Sequence, residues 1–214
     1  MTRRRFSWPR QYGLRTLFLA FLILSVWLAC WVKRARDQAH AVETLTKVYA
    51  MVMYDYQEAS PGRFDLDRTS NLPEQLLDIL PIDFLHTVVW IDLDSPAVTD
   101  ETLNALRLLP RLRVLHVSNT SITDAGIAEL VHLHELEWLT LDTELSDAAL
   151  VHVGKLRSLH VLELSRAPIT DSGLTELCGL RQLEELTLEE TLVTSDGIAR
   201  LRRELTDCEI DYWP

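Results

Sequence analysis

The chain has 214 residues, 47% of them hydrophobic and 25% charged, with a formal net charge of −11 and three cysteines. Three thiols give no disulfide framework. The acidic balance disfavours a nucleic-acid partner, because a phosphate backbone demands a basic face.

The first 15 residues are basic, with Arg3, Arg4, Arg5, Arg10 and Arg15. Residues 16–32 then carry no charge and are rich in Leu, Phe, Ile, Val and Trp; as a helix they span roughly 26 Å, enough to cross a thin bilayer. Trp8, Tyr12, Trp27 and Trp31 stand where interfacial aromatics belong, and Lys33, Arg34 and Arg36 follow the span. The segment reads as a transmembrane signal anchor. The larger basic flank places the N-terminus in the cytoplasm and the rest of the chain on the outer side of the membrane. Three other readings stay open: a cleaved signal peptide, a lipidated Cys30 after Leu28-Ala29, and a twin-arginine export signal at Thr2 to Phe6. A buried globular helix fits poorly, because the run has no polar face.

Residues 33–83 read as a juxtamembrane helix and an N-terminal cap. Ala39, Val42, Leu45, Val48 and Tyr49 recur at helical spacing, so this helix either continues the span or packs on the cap. Met51 to Tyr56 are expected as an extra edge strand, Ser60 to Asn71 as polar loop, and Pro73 to Leu80 as a short helix with proline near its start.

From about residue 88 the chain repeats itself with a period of 23 to 24 residues, in five copies. Each copy opens with a period-two alternation, at Ile91/Leu93, Leu115/Val117, Leu139/Leu141, Leu162/Leu164 and Leu186/Leu188, which predicts a short strand with one face inward. Thr99-Asp100, Thr123-Asp124, Ser146-Asp147 and Thr170-Asp171 are helix-start signals; either residue of each pair can serve as the cap, and we expect the aspartates to be spent on helix capping rather than on calcium. The fifth copy keeps Thr194 but moves the acid to Asp196. The third copy is one residue short between Leu141 and Leu145, which predicts a local irregularity. Ile210 and Tyr212 keep the spacing and predict a sixth, terminal strand. One strand and one helix cannot hide their own leucines, so successive units must stack around a shared core.

The pattern L-x-x-L-x-L, followed by an apolar residue and T-D-x-G-L, resembles the leucine-rich repeat family in the variant with a helical convex side, over about residues 88–212. The position that holds Asn or Cys in such repeats is here Pro96, Thr120, Glu144, Ala167 and Thr191, which puts an amide ladder in doubt. The resemblance implies an α/β fold: a leucine-rich repeat solenoid over 84–214, with a parallel concave sheet and convex helices, preceded by one N-terminal transmembrane helix. It also implies an interaction module, similar in plan to short membrane-anchored bacterial repeat proteins. Two weaker alternatives are a soluble substrate adaptor, as the repeats are similar to those of F-box receptors, and a hydrolase using Asp92 and Glu163.

The register predicts which side chains point out of the concave sheet. They form three columns: Trp90, Val114, Trp138, Val161 and Glu185; Asp92, His116, Thr140, Glu163 and Thr187; Asp94, Ser118, Asp142, Ser165 and Glu189. Tryptophans among carboxylates suit partner binding, while the alternative is that they brace the sheet. Residues 84–214 hold 23 Asp/Glu against 10 Lys/Arg, so a basic protein partner is compatible and anionic lipid is expected to be repelled by the domain itself while attracting the arginines near the anchor. His132 and His134 are expected on a solvated turn with Leu133 buried between them. Cys178 and Cys208 are expected as core thiols, and Asn119-Thr120-Ser121 is a glycosylation acceptor in form only. No metal site, cofactor loop or Ser/His/Asp set in recognisable context is expected, and the chain reads as a non-enzyme.

Overall fold

The structure, a computed structural model, describes residues 14–60 and 63–213. Arg3, Arg4, Arg5, Arg10, Trp8 and Tyr12, assigned above to the cytoplasmic flank, lie outside them.

A single helix, α1 (Leu14–Thr46), runs for 33 residues. Its first half is exposed, with Phe18 67%, Phe21 70% and Ile23 66% accessible. Its second half buries Ala35, Gln38, Ala41 and Leu45, one stripe at helical spacing, against the first repeat. The two alternatives for this helix are therefore both realised: it continues the apolar span and also caps the repeats. Tyr49 departs from the expectation; it is exposed, with φ 64°, just past the helix end. Gln38 is a buried amide with its hydrogen bonds met: Nε2 donates to Asp83 Oδ1 (3.0 Å) and the His86 carbonyl (2.9 Å), and Oε1 accepts the Val88 N–H (3.2 Å). Such satisfaction is what a buried polar group requires.

The cap continues with β1 (Met51–Tyr54), a hairpin of β2 (Glu58–Ser60) and β3 (Arg63–Phe64), then α2 (Glu74–Ile79) and α3 (Ile82–Leu85). The expected edge strand and the helix after Pro73 are present; the hairpin replaces part of the expected loop. The repeats supply β4 (Val88–Asp94), β5 (Val114–Ser118), β6 (Trp138–Asp142), β7 (Val161–Ser165), β8 (Glu185–Glu189) and the terminal β9 (Glu209–Trp213). With β1 they form a seven-stranded sheet in the order β1-β4-β5-β6-β7-β8-β9, all parallel except β1. The convex side carries α4 (Asp100–Leu103), α5 (Asp124–Ile127), α6 (Asp147–Val153), α7 (Asp171–Leu177) and α8 (Ser195–Glu204). The first two are single turns that continue as 3-10 helix. The inward leucines of all units, Leu115, Leu139, Leu162 and Leu188 among them, join one core. The short third unit keeps strand register on both sides; its missing residue is absorbed in a tight turn where Leu145 N–H bonds the Thr143 carbonyl (2.8 Å).

The capping assignment of the aspartates needs correction. The cap is the hydroxyl residue: Thr123 accepts from Ala125 N–H, Ser146 from Ala148, Thr170 from Ser172 and Thr194 from Gly197. The aspartate serves the next unit instead. Asp100 accepts the Thr123 N–H (2.8 Å) and hydroxyl (2.7 Å), and Asp124 does the same for Ser146 (2.9 and 2.5 Å). Asp147 and Asp171 repeat the pair at Thr170 (2.8 and 2.6 Å) and Thr194 (2.8 and 2.7 Å). The glycine of T-D-x-G follows from this: a methyl on Gly126, Gly173 or Gly197 would collide with the carboxylate of Asp100, Asp147 or Asp171. Three positions depart from the pattern: the third unit carries Ala149 at the glycine position while Asp124 keeps both bonds to Ser146, and the ends of the ladder carry the other two. Thr102 stands at the glycine position of the first unit, where no preceding carboxylate arrives, and Ser195 at the aspartate position of the fifth unit, after which the described residues hold no further convex helix.

Replacing Asp147 with Ala leaves the Thr170 amide and hydroxyl without their acceptor and is expected to cost about 1–3 kcal/mol in urea unfolding. Asp196→Ala, outside the ladder, should stay within roughly 0.5 kcal/mol. Gly173→Ala should destabilise on its own and much less on top of Asp147→Ala, because the second change removes the atom it strikes. Hydrogen bonds from Thr194, aided by Arg200, hold the Asp171 carboxyl below the ordinary value of 3.8. Its stabilisation is therefore present above that value and lost as the pH falls through the lowered one. Asp171→Asn should flatten this acid limb of a melting-temperature profile.

Candidate functional site

Each strand exposes alternate residues, and strand pairing sets them in rows. The registers Trp90–Val114–Trp138–Val161–Glu185, Asp92–His116–Thr140–Glu163–Thr187 and Asp94–Ser118–Asp142–Ser165–Glu189 run unbroken from β4 to β8. These are the three columns expected from the repeat spacing.

In the first row Val114 is buried, Trp90, Trp138 and Val161 are half-buried, and Glu185 is exposed. The tryptophans do not lie over the valines alone. Phe64, Trp90, His116 and Trp138 form a chain of rings, with centroids 6.0, 5.6 and 5.6 Å apart, the last pair edge-on. These separations fall within the range of favourable aromatic pairs. The Trp138 indole Nε1 is buried and has no acceptor among the described residues.

The second row is polar and linked. Thr140 Oγ1 donates to Glu163 Oε2 (3.1 Å) and lies 2.8 Å from His116 Nδ1. A carboxylate accepts only, so the single threonine proton goes to Glu163 and His116 Nδ1 must be the donor to Thr140. Burial pulls the His116 pKa down, with Asp92 and Glu163 opposing, while burial pushes Asp92 up, with His116 opposing. His116 is accordingly neutral at neutral pH, which leaves Nε2 as an acceptor. In the third row Arg166 pairs with Asp142, whereas Asp94 and Glu189 are exposed.

Sequence reasoning missed four parts of this surface. Strand β9 extends the rows with Glu209, Asp211 and Trp213; the spacing of Ile210 and Tyr212 already implied them. Buried Met53 stands opposite Trp90 on β1. Phe64 reaches Trp90 from the hairpin, and Glu58 pairs with Arg113, itself paired with Glu137. No periodic signal marks the last two, which come from the cap.

The cap also assembles a set that sequence reading did not find. Asp55 Oδ1 lies 2.8 Å from His86 Nδ1, and Ser70 Oγ 2.7 Å from His86 Nε2. The order is that of a nucleophile relay. Ser70 Oγ also accepts the Leu72 N–H (3.3 Å), which turns it into its own loop, and Tyr56 packs its ring 4.5 Å from the imidazole. Three cap segments are pinned together by these contacts. Elsewhere His132 and His134 are exposed with Leu133 buried between them, as expected. Cys178 and Cys208 are half-buried, and burial followed by Glu185 pushes the Cys208 thiol up to about 11. Thr120 and Thr191, at the position of the doubtful amide ladder, have buried hydroxyls without partners among the described residues.

A family model described as Leucine Rich repeat matches residues 110–131 and 155–178. Among solved structures, the chain is similar to a leucine-rich repeat protein of Leptospira interrogans, at 30% identity and TM-score 0.41 over 51% of this chain and 27% of that one. It is also similar to an internalin of Listeria monocytogenes, at 20% identity and TM-score 0.38 over 52% and 37%. A third likeness, to the PEPR1–AtPEP1 crystal structure, has 15% identity and TM-score 0.42 over 82% and 24%. The chain thus matches well under half the length of each of these proteins, and no curated protein matches its sequence. Two units match the leucine-rich repeat model and all five share one register, one ladder and one core, so the repeat region has the leucine-rich repeat fold.

Proposed function

We propose that this chain is a membrane-anchored protein-binding module: residues 1–15 form a basic cytoplasmic flank, 16–32 the anchor, 33–83 the juxtamembrane helix and cap, and 84–214 the binding domain on the outer side. The partner is a protein, and it docks on the concave face through Trp90, Asp92, Asp94, His116, Trp138, Thr140, Asp142, Val161, Glu163, Glu185 and Glu189, with the buried Val114 beneath them. One observation carries the reading: the half-exposed rings of Trp90, His116 and Trp138 lie in one chain beside the carboxylates of Asp92 and Glu163 on the outward face of the sheet. Aromatic anchors with steering charge are the usual make-up of an interface hot spot. The anchor reading draws on the exposed apolar half of α1 and on its length.

The set Asp55–His86–Ser70 is read as a clamp on the cap and not as a catalytic relay. A fluorophosphonate probe is therefore expected to leave the chain unlabelled; labelling lost in Ser70→Ala would show that it is an enzyme.

Full-length protein should resist carbonate extraction from membranes, and protease added on the outer side should digest the repeats. Release into the soluble fraction removes the anchor, and digestion from the cytoplasmic side reverses the orientation. In a pull-down, Trp90→Ala with Trp138→Ala should lose partners by at least about tenfold, since a hot-spot residue is worth about 2 kcal/mol or more. Unchanged partners together with a lowered melting temperature would make the tryptophans braces of the sheet.

A further inference from the structure

The charge of the repeats is segregated, and α1 shows which side of the solenoid faces its exposed half. Helix α1 runs alongside β4 in the same sense: Arg34 donates to Thr87 Oγ1 (2.9 Å) at the strand start, Gln38 grips His86 and Val88, and the chain re-enters at Met51 opposite Asp92 near the strand end. The exposed half of α1 therefore leaves from the edge where strands begin. Because β4 to β9 are parallel and in register, the turns that lead into every strand lie on that same edge. Arg34 is near enough to this edge for burial, and then Arg111, to lower its pKa, with Glu135 opposing. Two residues separate Arg34 from the end of the apolar run, a rise of about 3 Å. Trp31, one turn earlier, meets Phe84 of α3 with ring centroids 5.2 Å apart.

The turns of this edge hold five of the ten bases of residues 84–214, Arg113 included, but only four of their 23 acids. Its turns expose Arg111, Lys155, Arg157 and Arg181, and Lys33 and Arg36 on α1 stand beside it. Its turns hold four acids, Glu135, Glu184, Asp207 and Glu137, the last engaged by Arg113. The opposite edge, where strands end and helices begin, holds the ladder aspartates together with Asp94, Glu144, Glu189, Glu190 and Asp196. Its bases are Arg166, paired with Asp142, and Arg200, paired with Asp171.

We propose that the strand-start edge is a lipid-facing surface, seated on anionic headgroups of the leaflet from which α1 emerges. The inference rests on the membrane reading above and departs from the expectation that the repeat domain is repelled by anionic lipid. The strands stand upright on the bilayer, the stacking axis lies along it, and the acidic edge points away. Each basic side chain near an anionic surface strengthens the seat by about fivefold.

The test uses the full chain in vesicles of phosphatidylcholine, alone or mixed with phosphatidylglycerol, with a fluorophore at Gln182→Cys or Leu192→Cys in a background of C30A, C178A and C208A. Both labelled positions are exposed and belong to neighbouring turns on opposite edges. Headgroup-linked quencher should quench the dye at 182 strongly and the dye at 192 weakly. Quenching at 182 should rise with phosphatidylglycerol and fall with salt and in K155E/R157E/R181E. Equal quenching at the two sites, or quenching at 182 that ignores lipid charge and the triple variant, overturns the proposal. Loss of the chain from the vesicles in carbonate overturns the anchor and the seat together, whereas an embedded chain with indistinguishable dyes overturns the seat alone.

Discussion

A carboxylate of one unit that accepts both the amide and the hydroxyl of the next unit's helix cap is the contact on which the stack depends. The sheet joins neighbouring units on the concave side and the leucines join them in the middle, but neither fixes where a convex helix begins. The aspartate does, because its two oxygens meet two donors of one residue, as at Asp147 and Thr170. A charged acceptor with two short bonds is among the stronger hydrogen-bond arrangements available at a partly covered site. It also crowds the glycine three residues after the capped threonine, as Asp147 crowds Gly173, since the carboxylate occupies the space a methyl would need. The motif T-D-x-G is thus two half-contacts: Thr and Gly face backward to the previous unit, and Asp faces forward.

The concave face has a different logic. Its outward rows combine rings and carboxylates, and neutral His116 sits where they meet, bonded to Thr140 and flanked by Trp90 and Trp138. Desolvation by the neighbouring rings keeps the imidazole uncharged even with Asp92 and Glu163 near it. The surface is therefore apolar at its cap end, where Phe64 and Met53 adjoin Trp90, and increasingly acidic toward Glu185, Glu209 and Asp211.

Periodicity made the solenoid legible. Once Leu115 and Leu139 were recognised as equivalent, strand register and the three outward columns followed, and each pairing agrees. Reciprocal contacts between units were not legible, because a repeat read by itself shows only that Thr and Asp suit a helix start. The partner of Asp100 lies 23 residues away at Thr123, and only stacking brings the two together. The cap was least legible. Phe64 on Trp90, Glu58 on Arg113 and Asp55 on His86 join segments with no shared period. In the candidate surface, likewise, the rows were readable and their shielding by the hairpin was not.

Helix α1 passes from its bare apolar half to its gripped half without a break, a proline or a glycine. Arg34 and Gln38 bolt it to the first strand, and Ala41 and Leu45 sink into the same core as the repeats. Nothing in that path can act as a swivel. A twist or pull exerted on the sheet is transmitted as rigid rotation of the helical shaft, so the aim of the concave face is tied to the direction of the apolar half of α1 rather than to the slack of a tether.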